Sequence, residues 1–185
     1  ETTSYMAAQA AREALCQAEI SSEEVDLILV ATSTPDTIFP CVACEVQKAI
    51  KAANSVGFDL NAACSGFLLA YQTAQAYIQA GLYKTILIIG SDSMSHVIDW
   101  TDRGTCILFG DGAGAVILRA EEGGLCFHAA HSDGAGGGVL TGRSRHRKDW
   151  EEPKRMEETF LHMDGQRVFK FAVRSVPEIV EELLK

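Results

Sequence analysis

"NAACSGFLLA", residues 61–70, sets a cysteine between two kinds of structure. Ahead of it, Val56–Leu60 is a largely apolar stretch of strand length. After it, residues 67–79 are a run of helix formers. Cys64 therefore stands where a strand hands over to a helix, with Ala62, Ala63, Ser65 and Gly66 around it. A helix N-terminus presents unpaired backbone N–H groups and the positive end of the helix dipole. A thiolate placed there is stabilised, and its pKa falls below the free value of about 8.5. The small neighbours keep the sulfur sterically open, and nearby N–H groups can serve an oxyanion. Acyl transfer to sulfur needs this arrangement. The same residues also fit a buried cysteine acting as a small hydrophobe, and the local pattern leaves both readings open.

The segments around this stretch alternate. Residues 4–18, rich in Ala, Leu and Gln, predict a first helix. Ser21 and Glu24 stand at capping-box spacing and predict a short helical turn. "VDLILVATS", residues 25–33, is the near-continuous β-branched and Leu run of a strand buried on both faces. A loop over 34–40, bounded by Pro35 and Pro40, leads to a helix over 41–53 with Val42, Val46, Ala49 and Ile50 on one stripe. Strand Val56–Leu60, a helix over 64–80 and a strand over 85–89 follow. The rhythm then changes. Residues 99–120 hold a short helix candidate, a glycine-rich turn at Gly110, Gly112 and Gly114, and a strand over 115–119. A further strand over 125–130 is expected to pair antiparallel with it across "EEGG", and residues 132–158 read as an irregular excursion. The tail, 163–185, is helical, with Ser175, Pro177 and Glu178 marking a kink or two abutting helices. The order predicts an α/β fold, a mainly parallel sheet covered by helices. No linker divides the chain.

Composition narrows the function. A hydrophobic fraction of 47% with 22% charged residues fits a globular protein with a real core. No apolar run approaches the roughly 20 residues that cross a bilayer, no secretory leader opens the chain, and the start at Glu1 points to missing upstream residues. A net charge of −9 argues against nonspecific nucleic-acid binding. The exception is "GRSRHRKD", residues 142–149, where Arg143, Arg145, Arg147 and Lys148 form either a solvated loop or a docking patch for an anionic partner. The six cysteines lie in apolar or helical stretches, which argues for reduced thiols and a cytoplasmic protein. Cys41 and Cys44 form a C-x-x-C without a second pair or a spaced histidine pair, so ordinary helix packing is expected there and neither a metal nor a redox site. A cysteine nucleophile usually needs a base, and none of His96, His128, His131, His146 and His162 stands out by spacing.

"NAACSGF" (61–67) together with "TDRGTCILFGDGAGAVIL" (101–118) resembles the ketoacyl synthase III family of the thiolase superfamily, the enzymes that initiate bacterial type II fatty acid synthesis. "STPDTIFPCVACEVQ" (33–47) and "GQRVFKFAV" (165–173) are similar to it too, in the same order. The resemblance implies a thiolase-like fold of two similar halves, of which residues 1–185 match the N-terminal one. The family's first strand and its C-terminal half, with the catalytic His and Asn, lie outside the chain. "GDGAGA" is not a dinucleotide fingerprint, because it lacks the G-x-G-x-x-G spacing and precedes a strand. It reads as a tight turn close to the active site.

Residue by residue, the resemblance makes Cys64 the acyl-accepting thiol, which takes an acyl group from acyl-CoA before condensation with malonyl-acyl-carrier protein. Arg103 matches the arginine at the adenine end of coenzyme A, against the bland reading of a structural arginine paired with Asp99 or Asp102. Leu108 and Phe109 match the acyl and pantetheine channel, against plain core. Phe39 matches the residue that reaches across a homodimer interface to close the partner's acyl pocket, against packing within its own subunit. Acyl-CoA is a substrate, and no cofactor is implied. Two other readings stand beside this one. One is a related enzyme on the same fold, such as a hydroxymethylglutaryl-CoA synthase or a secondary-metabolite ketoacyl synthase. The other is a noncatalytic half-domain scaffold.

Overall fold

In the computed structural model, residues 1–121, 123, 127–142 and 160–185 are described. They fall into two units, Glu1–Ser93 with Asp111–Gly124, and Met94–Gly110 with Leu125–Lys185.

The first unit is a three-layer sandwich. Its elements are α1 (Thr3–Ala18), β1 (Leu27–Ala31), α2 (Val42–Ile50), β2 (Val56–Leu60), α3 (Gly66–Gln79), β3 (Thr85–Ser93) and β4 (Asp111–Arg119). The sheet order is β2-β1-β3-β4. β1 pairs parallel with β2 and with β3, and β4 runs antiparallel to β3. Because strand side chains alternate faces, the run Leu27–Ala31 feeds two cores at once. Ile28 and Val30, with Leu87 and Ile89, pack under α1 and α2. Leu27, Leu29 and Ala31, with Ile86 and Ile88, pack under α3. α1 presents Ala7, Ala8 and Ala11, small enough for the helix to lie close to the sheet.

Carboxylates that accept from backbone N–H groups fix the element ends. Asp26 accepts from the N–H groups of Lys84 and Thr85 at 2.8 and 2.9 Å, which sets the start of β3 beside β1. Asp36 accepts from the Thr3 and Ser4 N–H groups at 2.8 and 2.9 Å, at the head of α1. Burial works against its charge, but hydrogen bonds from Ser4, Thr3 and Thr2 outweigh it and hold the carboxyl below its usual pKa. The folded value lies below the unfolded one, so this contribution is complete above about pH 4 and is lost as pH falls through the folded value. Asp36→Ala is expected to cost roughly 0.5–1 kcal/mol at pH 7, the low end for a helix cap at an exposed position. The difference from the parent chain should vanish in strong acid. Urea unfolding at pH 7 and at a series of lower pH values measures both.

Several expectations are corrected. The glycine segment is strand, not a tight turn: Gly112 and Gly114 pair with Asp92 and Gly90 in the β3–β4 ladder. β3 accordingly extends past residue 89 to Ser93. α2 stops at Ile50 because Lys51 turns left-handed (φ 60°) and closes the helix. In place of the short helix after residue 99, consecutive turns run through Asp102, Thr105 and Cys106. Residues 127–130 carry no strand, and 125–126 lie outside the described residues.

In the second unit, β5 (Leu140–Thr141), inside what reads from sequence as an irregular excursion, pairs antiparallel with β6 (His162–Met163) beyond it. The basic cluster at 143–148 lies outside the described residues. The tail is one helix, α4 (Gly165–Leu183), which continues through Pro177 instead of splitting there. Phe169, Val173, Val176, Val180 and Leu183 recur along it at alternating spacings of four and three, and all are exposed. Among the described residues no helix is long and apolar enough to cross a membrane.

Candidate active site

The turn after β2 is tight. Ala63 adopts φ 46°, a left-handed conformation that costs a non-glycine residue roughly 1–2 kcal/mol. Residues Ala63–Ser65 form one 3₁₀ turn, which runs directly into α3. Cys64 sits in this turn and is exposed, which sets aside the reading of a buried hydrophobe. No side chain caps the N-terminus of α3, and the Gly66 N–H donates to the Ala63 carbonyl within the turn.

The small residues near Cys64 have a packing reason. A Cβ on Gly66 would stand 3.2 Å from the Ala31 Cβ on β1, and one on Gly90 would stand 3.3 Å from Phe67. Glycine at both places lets the head of α3 lie directly on β1 and β3. Polar contacts lock the turn from the sides. The Asn61 carbonyl oxygen accepts from the Ser33 hydroxyl at 3.1 Å and from the Ala63 N–H at 3.4 Å. Asp92 Oδ1 accepts from the Ser33 N–H at 2.7 Å, the Thr34 hydroxyl at 2.9 Å, the Thr34 N–H at 3.1 Å and the Thr32 hydroxyl at 3.2 Å. Asp92 thus anchors the loop after β1, and that loop braces the Cys64 turn through Ser33 and Asn61. Sequence reading missed Asp92 and Asn61, because partners 60 and 28 positions away leave no local pattern.

Phe39 lies in the loop that follows β1, at the same C-terminal edge of the parallel strands as Cys64, and is 83% exposed. The unit that carries Cys64 contains no histidine; all five belong to the other unit.

Arg103, Leu108 and Phe109 belong to the second unit. Arg103 is exposed, and neither nearby carboxylate is its partner among the described ion pairs. Asp99 accepts from the Thr101 N–H and hydroxyl, which hold its carboxyl below the usual range. Asp102 accepts from the Gly104 N–H and the Thr105 hydroxyl. Leu108 is 64% exposed and Phe109 partly buried, so Leu108 is not core.

The family profile of 3-oxoacyl-[acyl-carrier-protein (ACP)] synthase III matches residues 58–134, from within β2 to beyond β4. A beta-ketoacyl-[acyl-carrier-protein] synthase III of Bacillus cereus is 47% identical over 176 residues, 94% of this chain and 52% of its own length. Along nearly its whole length the chain is similar to 3-oxoacyl-[acyl-carrier-protein] synthase III proteins. It matches the N-terminal half of that fold. The crystal structure of the synthase III from Aquifex aeolicus VF5 superposes over the whole chain and 56% of its own, with a TM-score of 0.88 and 41% identity. A synthase III of Clostridium acetobutylicum is 45% identical over 188 residues and 58% of its length. The chain thus spans about half the length of the curated relatives it matches, and its fold is the thiolase-like α/β fold of this family.

Proposed function

We propose that this chain is the acyl-accepting half of a condensing enzyme that initiates fatty acid synthesis. The observation that carries the reading is the exposed Cys64, held in a strained turn at the uncapped head of α3 within the segment that matches the family. In the proposed reaction the Cys64 thiolate attacks the thioester carbonyl of an acyl-CoA, probed first as acetyl-CoA. The tetrahedral oxyanion rests on backbone N–H groups, its collapse expels the coenzyme A thiolate, and the acyl group stays on sulfur. Malonyl-acyl-carrier protein then loses carbon dioxide, and its enolate carbon attacks the acyl carbonyl. Cys64 leaves as thiolate, and 3-oxoacyl-carrier protein is released. The charge developing on the enolate oxygen needs fixed donors. The histidine-free unit around Cys64 supports placing those donors, and the base, outside it, in the family's second half. This chemistry runs on thioesters and requires no cofactor.

Arg103, exposed and without an ion pair among the described residues, suits coenzyme A, since a planar guanidinium both stacks on a base and contacts phosphate. Leu108 and Phe109 supply apolar wall for the acyl and pantetheine arm. Phe39 is proposed to close the acyl pocket of the second subunit of a homodimer. A protein of the relatives' full length carrying this segment should form 3-oxoacyl-carrier protein from acetyl-CoA and malonyl-carrier protein, one carbon dioxide per condensation. Condensation that proceeds at the same rate without acyl-CoA would overturn the reading.

Phe39 gives a separate prediction. Removing its ring should widen the pocket, and Phe39→Ala should shift preference toward longer or branched acyl-CoAs. Extra methylenes in an apolar pocket are worth about 1–3 kcal/mol, so the expected change in kcat/KM ratio is roughly 10- to 200-fold. An unchanged acyl profile would place Phe39 elsewhere.

A further inference from the structure

The C-x-x-C stands at the head of α2, where Cys41 packs against the core under α1 and α2. Cys41 is the N-cap residue, with extended backbone (φ −71°, ψ 159°), and it makes no capping hydrogen bond. Asp59 takes that role, accepting from the Val42 and Ala43 N–H groups at 2.8 Å each. The Cys41 thiol is left to turn over the first helical turn, where its S–H donates to the Cys44 sulfur at 3.4 Å. Inside a helix, residues three apart hold their Cβ atoms about 5–6 Å apart, too far for a disulfide, which needs roughly 3.5–4.5 Å. A residue at the cap escapes that spacing. The two sulfurs need to approach by little more than ~1 Å to reach bonding distance, a movement within reach of side-chain rotation. Cys44 is exposed and Cys41 partly so. Among the described residues no third His, Cys, Asp or Glu joins them as a metal-binding group.

We propose that Cys41 and Cys44 form a redox site, a dithiol that closes to an intrachain disulfide by exchange with a small-molecule disulfide. One cysteine thiolate attacks the small disulfide, whose S–S bond breaks and releases one thiolate. The second cysteine thiolate then attacks the resulting mixed disulfide and releases the other. The two cysteine protons end on the two released thiols. The cysteine sulfurs are oxidised and the small disulfide is reduced. The new bond ties the residue just after Phe39–Pro40 to the first turn of α2.

The surroundings favour holding the bond over exchanging it quickly. The hydrogen bond with Cys41, then burial, then the negative charge of Cys41, Asp59 and Glu45 raise the Cys44 thiol above its ordinary range. A thiol whose ionised form is disfavoured attacks slowly, but the reduced state then gains no thiolate stabilisation, so the disulfide is the more persistent form. The inference does not rest on acyl transfer at Cys64.

Residues 13–48 are one tryptic peptide containing Cys16, Cys41 and Cys44. The reduced chain, equilibrated with glutathione disulfide, acid-quenched, alkylated with iodoacetamide and digested, reports on all three by mass spectrometry. Labelling of Cys41 and Cys44 should fall together by about tenfold or more, with one internal disulfide in the peptide. In Cys41→Ser, Cys44 should remain alkylated or carry a single glutathione. Full alkylation of both thiols in the parent chain would overturn the proposal. So would two glutathione adducts without closure, or a bond that runs to Cys16.

Discussion

Cys64→Ser is expected to abolish the covalent acyl group that radiolabelled acetyl-CoA leaves on a full-length protein carrying this segment. Serine preserves the shape of the turn, so the glycine contacts at Gly66 and Gly90 and the Asn61 brace remain. What changes is the nucleophile. A hydroxyl is barely ionised near neutral pH, whereas a thiol supplies a usable fraction of a strongly nucleophilic thiolate. Loss of a nucleophile in an otherwise intact site removes at least about 10³-fold of turnover. The measurement is peptide-mapped label, one acyl group per chain in the parent and none in the variant. Label that survives and maps to Cys44 or Cys106 would refute the assignment.

The central sheet was readable from sequence because its residues carry their own signal. A five-residue run such as Leu27–Ala31, buried at every position, is what a strand covered on both faces requires. The handover at Cys64 was readable for a similar reason, since the strand, the small residues and the helix follow one another locally. The glycine segment before Ala115 was not. Glycine has no side chain to reveal a period of two, and the strand there is specified by β3, whose residues pair with it from some twenty positions upstream. Pro177 misled in the opposite direction, through a strong local signal. One missing N–H costs a helix a single hydrogen bond, and α4 continues past it. The C-x-x-C spacing reads as packing, and Cys41 does pack against the core, but the sequence does not show that Cys41 stands at the cap and not inside the helix. Its position at the cap, with Asp59 as the true capping group, frees the thiol. The support around Cys64 was invisible for lack of any short-range trace, as Asp92 and Ser33 meet across 59 positions.

The glycine at position 66 should be as consequential for acylation as its lack of chemistry makes it easy to overlook. Two effects compete on substitution. Alanine in place of a helical glycine gains up to about 1 kcal/mol of helix propensity. Its Cβ, however, meets the Ala31 Cβ at 3.2 Å, and Ala31 is held in β1 between two paired strands and cannot retreat. For Gly66→Ala these terms nearly cancel, so stability should stay close to that of the parent. Gly66→Val adds two further carbons and a β-branch on the same side, and overpacking of this kind costs about 1–3 kcal/mol. The head of α3 must then lift off the sheet, and Cys64, two residues earlier in the same turn, moves with it. A displacement of about 1 Å at a reacting atom is enough to cost about 10²-fold in rate. Gly66→Val should therefore lose both stability in urea unfolding and roughly two orders of magnitude in acylation of Cys64. Gly66→Ala should lose part of the rate at almost unchanged stability, a split that a purely structural role would not produce. If Gly66→Val destabilises the fold but acylates at the parent rate, close contact between α3 and β1 is not what positions the thiol.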